Sequence, residues 1–132
     1  MPAARNHSAE SMDQHLVLRR VERQHALIEA LRARAPRATT GHLLAERLGV
    51  AVRTIERDIA RLRDAGVPIT VRSGPGGGYR LDTSSSLAPL SLTPGEAAAL
   101  VVALAAVGPY ASASARSAMD KLLAALRAAE TP

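Results

Sequence analysis

Along the chain, apolar positions first recur at near-helical spacing. From Gln14 to Arg34, residues Leu18, Val21, Leu27, Ile28 and Leu31 predict a first helix, which Pro36 closes. Thr40 then caps a second helix with Leu43, Leu44, Ala45 and Leu48 as its inner stripe, and Gly49 stops it. A third begins after Val50, with Val52, Ile55, Ile59 and Leu62 on one buried face; Gly66 and Pro68 end it. The period then drops to two. Ile69 and Val71 alternate with Thr70 and Arg72, and Tyr79 and Leu81 flank Arg80, so a hairpin is expected around the tip "SGPGGG".

Residues 1–11 are polar and aperiodic and are expected to be a disordered tail. The unit they precede runs over 12–82, and the Ser/Pro-rich stretch 83–92 reads as a linker. In the remaining segment, 93–132, "TPGE" forms a capping box at Thr93, opening a helix that stops at Gly108-Pro109. A last helix, roughly 113–130, places Ala115, Met119, Leu122, Leu126 and Ala129 on a narrow seam.

Two short helices joined by a tight glycine turn and followed by a hairpin make the order of a winged helix-turn-helix. The spacing has steric reasons: Ala45 is small where helices cross, Gly49 falls in the turn, and Ile55 plugs the core. The expected fold is mainly α with a small β-hairpin, a winged helix-turn-helix followed by a two-helix C-terminal arm.

Composition sharpens this picture. The chain has 17 Lys+Arg against 12 Asp+Glu, and Lys121 is its only lysine. Such a basic balance points to a polyanion, and the forked guanidinium favours nucleic acid over a membrane surface. A soluble protein from an Arg- and Ala-rich proteome is the plain alternative. Cysteine is absent, which excludes disulfides and thiolate chemistry. The four histidines make no ligand set, and no Ser-His-acid or paired-carboxylate arrangement occurs; no catalysis, metal or cofactor is expected. The N-terminus lacks the apolar core of a signal peptide, and the longest uncharged apolar run, 97–107, is far short of the roughly 20 residues a bilayer span requires. These features lead us to expect a cytoplasmic protein associated with the nucleoid.

The stretch "LLAERLGVAVRTIERDIARLRDAGVPI" with "GPGGGYRL" closely resembles the N-terminal winged-helix domain of WYL-domain (DeoR-like) bacterial transcriptional regulators, over residues 18–81. "LAPLSLTPGEAAAL" and "SARSAMDKLLAAL" are similar to the helical linker of that family. Two departures stand out. Ala51 occupies a position that is usually Ser there, and the chain ends about where the ligand-sensing WYL domain would begin. It is therefore a fragment or a short form, and no small-molecule effector is expected within it. The resemblance implies a sequence-specific regulator of transcription acting on double-stranded DNA.

On the residues themselves, the third helix turns Arg53, Thr54, Arg57 and Arg61 away from its apolar stripe. Arg53 and Thr54 are assigned to base edges or nearby phosphates, Arg57 to a base or the groove wall, and Arg61 to phosphate. Glu56, at the edge, accepts from a cytosine amine or pairs with Arg53. The competing reading is a merely solvated face, with Arg61 paired to Asp58 or Asp64; Asp58 is expected to bond within the protein. Arg72 and Arg80 share the hairpin's outer face, and Gly76 and Gly77 offer bare backbone to phosphate. Thr40, with Arg37 and His42 nearby, adds a contact at the second helix's start. Tyr79 is expected in the core.

The helix over 93–107 is apolar nearly all round and must be covered. It either folds back on the winged domain or meets a second copy. The homodimer is preferred, through Leu100, Leu104, Met119, Leu122 and Leu126. The alternative function is a winged-helix protein-interaction module docking through this arm.

Overall fold

The computed structural model describes residues 2–82, 86–108 and 111–130, with side chains from residue 9 onward. Seven elements follow one another: α1 (Pro2–Arg34), α2 (Gly41–Leu48), α3 (Val52–Asp64), β1 (Ile69–Arg72), β2 (Gly78–Leu81), α4 (Pro94–Val107) and α5 (Ala113–Ala128). The mainly helical winged helix-turn-helix with two further C-terminal helices is what the periodicity predicts. Pro109, the linker positions 83–85 and the last two positions of the arm lie outside the described residues.

Helix α1 differs from its expected extent. It runs back to Pro2, through the segment expected to be disordered. Once a helix is nucleated, each added residue needs to fix only its own backbone for one more hydrogen bond. "PAAR" and "SAES" contain good helix formers, and residues 9–19 are exposed rather than packed on the core. Leu27 and Leu31 are fully buried, whereas Met12, Leu16, Val17 and Leu18 are exposed.

Local signals set the boundaries of α2 and α3. The Thr40 hydroxyl accepts from the Leu43 amide at 3.2 Å, and Gly49, at φ 67°, turns the chain out of α2. Ala51 gives α3 no side-chain cap. At the other end, the amides of Gly66 and Val67 donate to the carbonyls of Arg63 (2.9 Å) and Leu62 (3.0 Å), a Schellman closure with Gly66 at φ 98°.

Strands β1 and β2 pair antiparallel, Ile69 with Leu81 through Arg72 with Gly78. Thr39 adds a third, one-residue rung: its amide and carbonyl bond those of Tyr79, each at 2.8 Å. Only glycine fits at position 78, where φ is 138° and a Cβ would lie 2.5 Å from the Thr39 carbonyl oxygen. Leu27, Leu31, Leu44, Ala45, Ile55, Ile59, Ile69 and Leu81 make one aliphatic core beneath the hairpin, with Tyr79 packed at its edge. Thr39 is buried there, and its hydroxyl has no partner among the described residues.

Helix α4 begins at the expected capping box: Thr93 Oγ1 accepts from the Glu96 amide at 3.1 Å, and Glu96 accepts from the Thr93 amide at 2.9 Å. Helices α4 and α5 pack on each other, burying Ala97, Ala115 and Met119, and α4 touches α1. A polar seam also joins α5 to α1. Ser112, the N-cap of α5, lies 3.2 Å from His25 Nδ1, and the Ser114 hydroxyl sits beside Glu29.

Candidate nucleic-acid interface

The candidate surface is built on α3, whose two faces differ in chemistry. Ile55 and Ile59 are buried in the core, and Val52 and Leu62 pack against it. The opposite side carries Arg53, Arg57 and Arg61, all exposed, with Arg57 at its centre. Thr54 is half-buried, flanking this face rather than standing on it. Glu56 is exposed and lies towards the wing, close enough to Tyr79 for its charge to help raise that phenol's pKa, behind the larger effect of burial. No ion pair joins Glu56 to Arg53 among the described residues.

Asp58 is the polar exception on the inner side. Its side chain is 0% exposed, and Arg23 of α1, 24% exposed, grips it with two bonds, Nε to Oδ2 and Nη2 to Oδ1 at 3.1 Å. Arg61 Nη1 is 3.6 Å from the same carboxylate. The hydrogen bond to Asp58 is the main reason the Arg23 pKa is raised. Asp58 therefore bonds within the protein, as expected, and of the two partners expected for Arg61 the structure pairs it with Asp58.

Arg23 is the residue that sequence reasoning missed. It is separated from Asp58 by 35 positions, and nothing in local spacing links the two. The pair ties α3 to α1. Arg53 and Arg57 carry no ion pair among the described residues, so the outward ladder resolves into one compensated arginine and two uncompensated ones.

The wing divides similarly. Arg72 and Arg80 are both exposed on its outer face, since Arg80 pairs with Thr70 and Arg72 lies two positions on. Arg80 Nε donates to Asp82 Oδ1 at 2.8 Å, and the Thr70 hydroxyl donates to the other oxygen of that carboxylate. The Thr70 bond, with Arg80 beside it, holds Asp82 below the usual carboxylate range. Arg72 has no such carboxylate among the described residues.

At the tip, Gly76 is exposed, but Gly77 is not the bare contact expected of it. It is buried, its amide donates to the Gly74 carbonyl at 3.0 Å, and a Cβ there would lie 2.3 Å from the Arg72 carbonyl oxygen. Gly77 closes the turn; Gly76 is the one that faces out. Thr40 stays exposed while capping α2, so its hydroxyl remains free to donate.

Of the five residues expected at a dimer seam, Met119 is 9% exposed and belongs to the arm's own interior. Leu104, Leu122 and Leu126 are half-buried, and Leu100 is 46% exposed. Among the described residues no helix is long and apolar enough to cross a membrane.

Helix, glycine turn, recognition helix and wing together define a winged helix-turn-helix. Residues 23–80 match the family model of an HTH domain, from the second half of α1 to β2, an HTH domain of the type the sequence resemblance implies. The function of this segment is of the DNA-binding regulator kind. No solved structure matches the chain.

Proposed function

We propose that the protein is a sequence-specific, DeoR/WYL-like bacterial transcriptional regulator that lays α3 in the major groove and its wing on the sugar-phosphate backbone. One observation carries this reading: Arg53 and Arg57 stand exposed on the outer face of a helix that Arg23 and Asp58 tie to α1. A guanidinium with no internal carboxylate is available for the two acceptors of a guanine edge. Arg61, near Asp58, takes phosphate in this reading, as do Arg72, Arg80, Thr40 and the Gly76 backbone. Glu56 and Thr54 border the base-reading face.

The unit acting on DNA is a homodimer joined through α4. Leu100 and Val102 are 46% and 69% exposed on a helix whose only charge is Glu96, and a second copy offers the same uncharged surface. Two α3 helices then sit about 34 Å apart, one turn of DNA. The same exposed face favours a second reading, a protein-interaction module docking through the arm.

Selection of bound fragments from genomic DNA by the purified chain tests the reading. An inverted repeat is expected, with Arg53→Ala or Arg57→Ala costing about 1–3 kcal/mol and relaxing specificity, while Arg72→Ala weakens binding to all sequences alike. Recovery of no common site, together with an Arg57→Glu protein that binds as before, would establish the interaction module instead. A monomer mass by light scattering at working concentration would remove the dimer.

A further inference from the structure

A trough of about 560 Å³ runs behind the wing, between its outer face and the segment leaving α1. Arg34 and Arg37 line one side, and Thr70, Arg72, Gly76 and Arg80 line the other. None of its lining residues is acidic. The two Thr39–Tyr79 backbone bonds hold the 34–38 segment against β2, so the four guanidinium groups are brought together by the fold rather than by chance rotamers. Asp82, on Arg80, is their one carboxylate partner among the described residues.

Like charges converge at a cost unless an anion sits among them. The trough is open to solvent and has the exposed Gly76 backbone at the lip nearest the wing tip, which suits a string of phosphates. From that lip it reaches Arg34, at the C-terminal end of α1, and none of its lining residues belongs to α3. We propose that it extends the wing's phosphate-contacting face across to Arg34 and Arg37, and takes the backbone of DNA flanking the half-site under α3. It rests on the DNA-binding reading above and assigns Arg34 and Arg37 a part that neither the recognition helix nor the wing supplies.

The test compares the wild type with the Arg34→Gln/Arg37→Gln double variant on duplexes of about 12 and about 30 base pairs, each centred on a selected half-site. Glutamine keeps much of the stem packing, and an unchanged melting curve confirms the fold. On the long duplex, loss of two phosphate contacts should reduce the slope of log K against log salt by about 1.8. A tenfold rise in salt then weakens the variant about 60-fold less than the wild type. On the short duplex the two proteins should behave alike.

Equal effects on both lengths, or none on either, overturn the proposal while DNA binding itself stands. Failure of the wild type to bind either duplex overturns both readings. Inorganic pyrophosphate serves as a third probe: saturable binding lost in the variant, with unchanged slopes on the long duplex, assigns the trough to a free phosphate ligand and removes the DNA flank from it.

Discussion

Replacing Arg23 by methionine removes the guanidinium that grips Asp58 and leaves the aliphatic stem. The carboxylate is then stranded, fully buried, with Arg61 at 3.6 Å its one remaining cation among the described residues. Breaking a buried pair from one side costs about 3–5 kcal/mol. Arg61 is 49% exposed and can swing closer, which puts the expected loss at the lower end, about 3 kcal/mol. Against a total stability of roughly 5–15 kcal/mol this is a large share, and at about 4 °C per kcal/mol it lowers Tm by about 12 °C.

Replacing both partners, Arg23→Met with Asp58→Leu, should recover most of the loss, because an apolar pair needs no desolvated charge. Urea unfolding followed by circular dichroism measures all three variants and closes the cycle. If Arg23→Met falls within about 0.5 kcal/mol of the wild type, below any plausible cost of a buried unpaired charge, the clamp does not hold α3. The double variant separates stability from recognition: stable yet with blunted discrimination between sites, it would show that the clamp sets the angle at which Arg53 and Arg57 are presented.

Ala51→Ser supplies the missing N-cap of α3 and should stabilise the fold by about 1 kcal/mol, read as a shift of the urea midpoint at constant m. Thr39→Val removes the unpartnered buried hydroxyl while keeping the β-branched shape, and should raise stability by about 1 kcal/mol in the same assay. For acid sensitivity, Glu29 is held below its ordinary value of 4.5 chiefly by the Ser114 hydroxyl, with Arg32 helping against burial. Glu96 is lowered by its bonds to Thr93. A depressed carboxylate contributes stability above its unfolded value, and that contribution is lost as pH falls through the lower folded one. Protection of the α4 and α5 amides, taken as exchange relative to the intrinsic rate at each pH, should therefore fall below pH 4.5, and Glu29→Gln with Glu96→Gln should flatten the profile; an unchanged profile would contradict it.

Local chemistry carried most of the winged domain into view before any coordinates. Thr40, Gly49, Gly66 and the capping box at Thr93 act on backbone groups within a few residues of themselves, and that range is what a sequence pattern displays. The apolar stripe of α3 likewise implies its opposite, so the outward positions of Arg53, Arg57 and Arg61 could be read directly. Period two gave the hairpin for the same reason: a strand's faces alternate whatever lies beneath them. The N-terminal end of α1 carries no apolar stripe to mark it as helix, and its residues 9–19 are exposed rather than packed.

What only the tertiary structure decided depends on distance. Whether a given arginine is compensated turns on which carboxylate the fold brings near it, and sequence separation carries no such information: Arg23 meets Asp58 across 35 positions. The same holds for Gly77, whose burial follows from how the tip folds on itself, and for Met119, buried within the arm because α5 packs on α4. Arg34 and Arg37 become neighbours of Arg72 and Arg80 only because Thr39 adds its rung to β2. Periodicity determined which way each side chain faces; the packing of elements far apart in the chain determined what it meets there, since contact energies act over a few ångströms of space and not along the sequence.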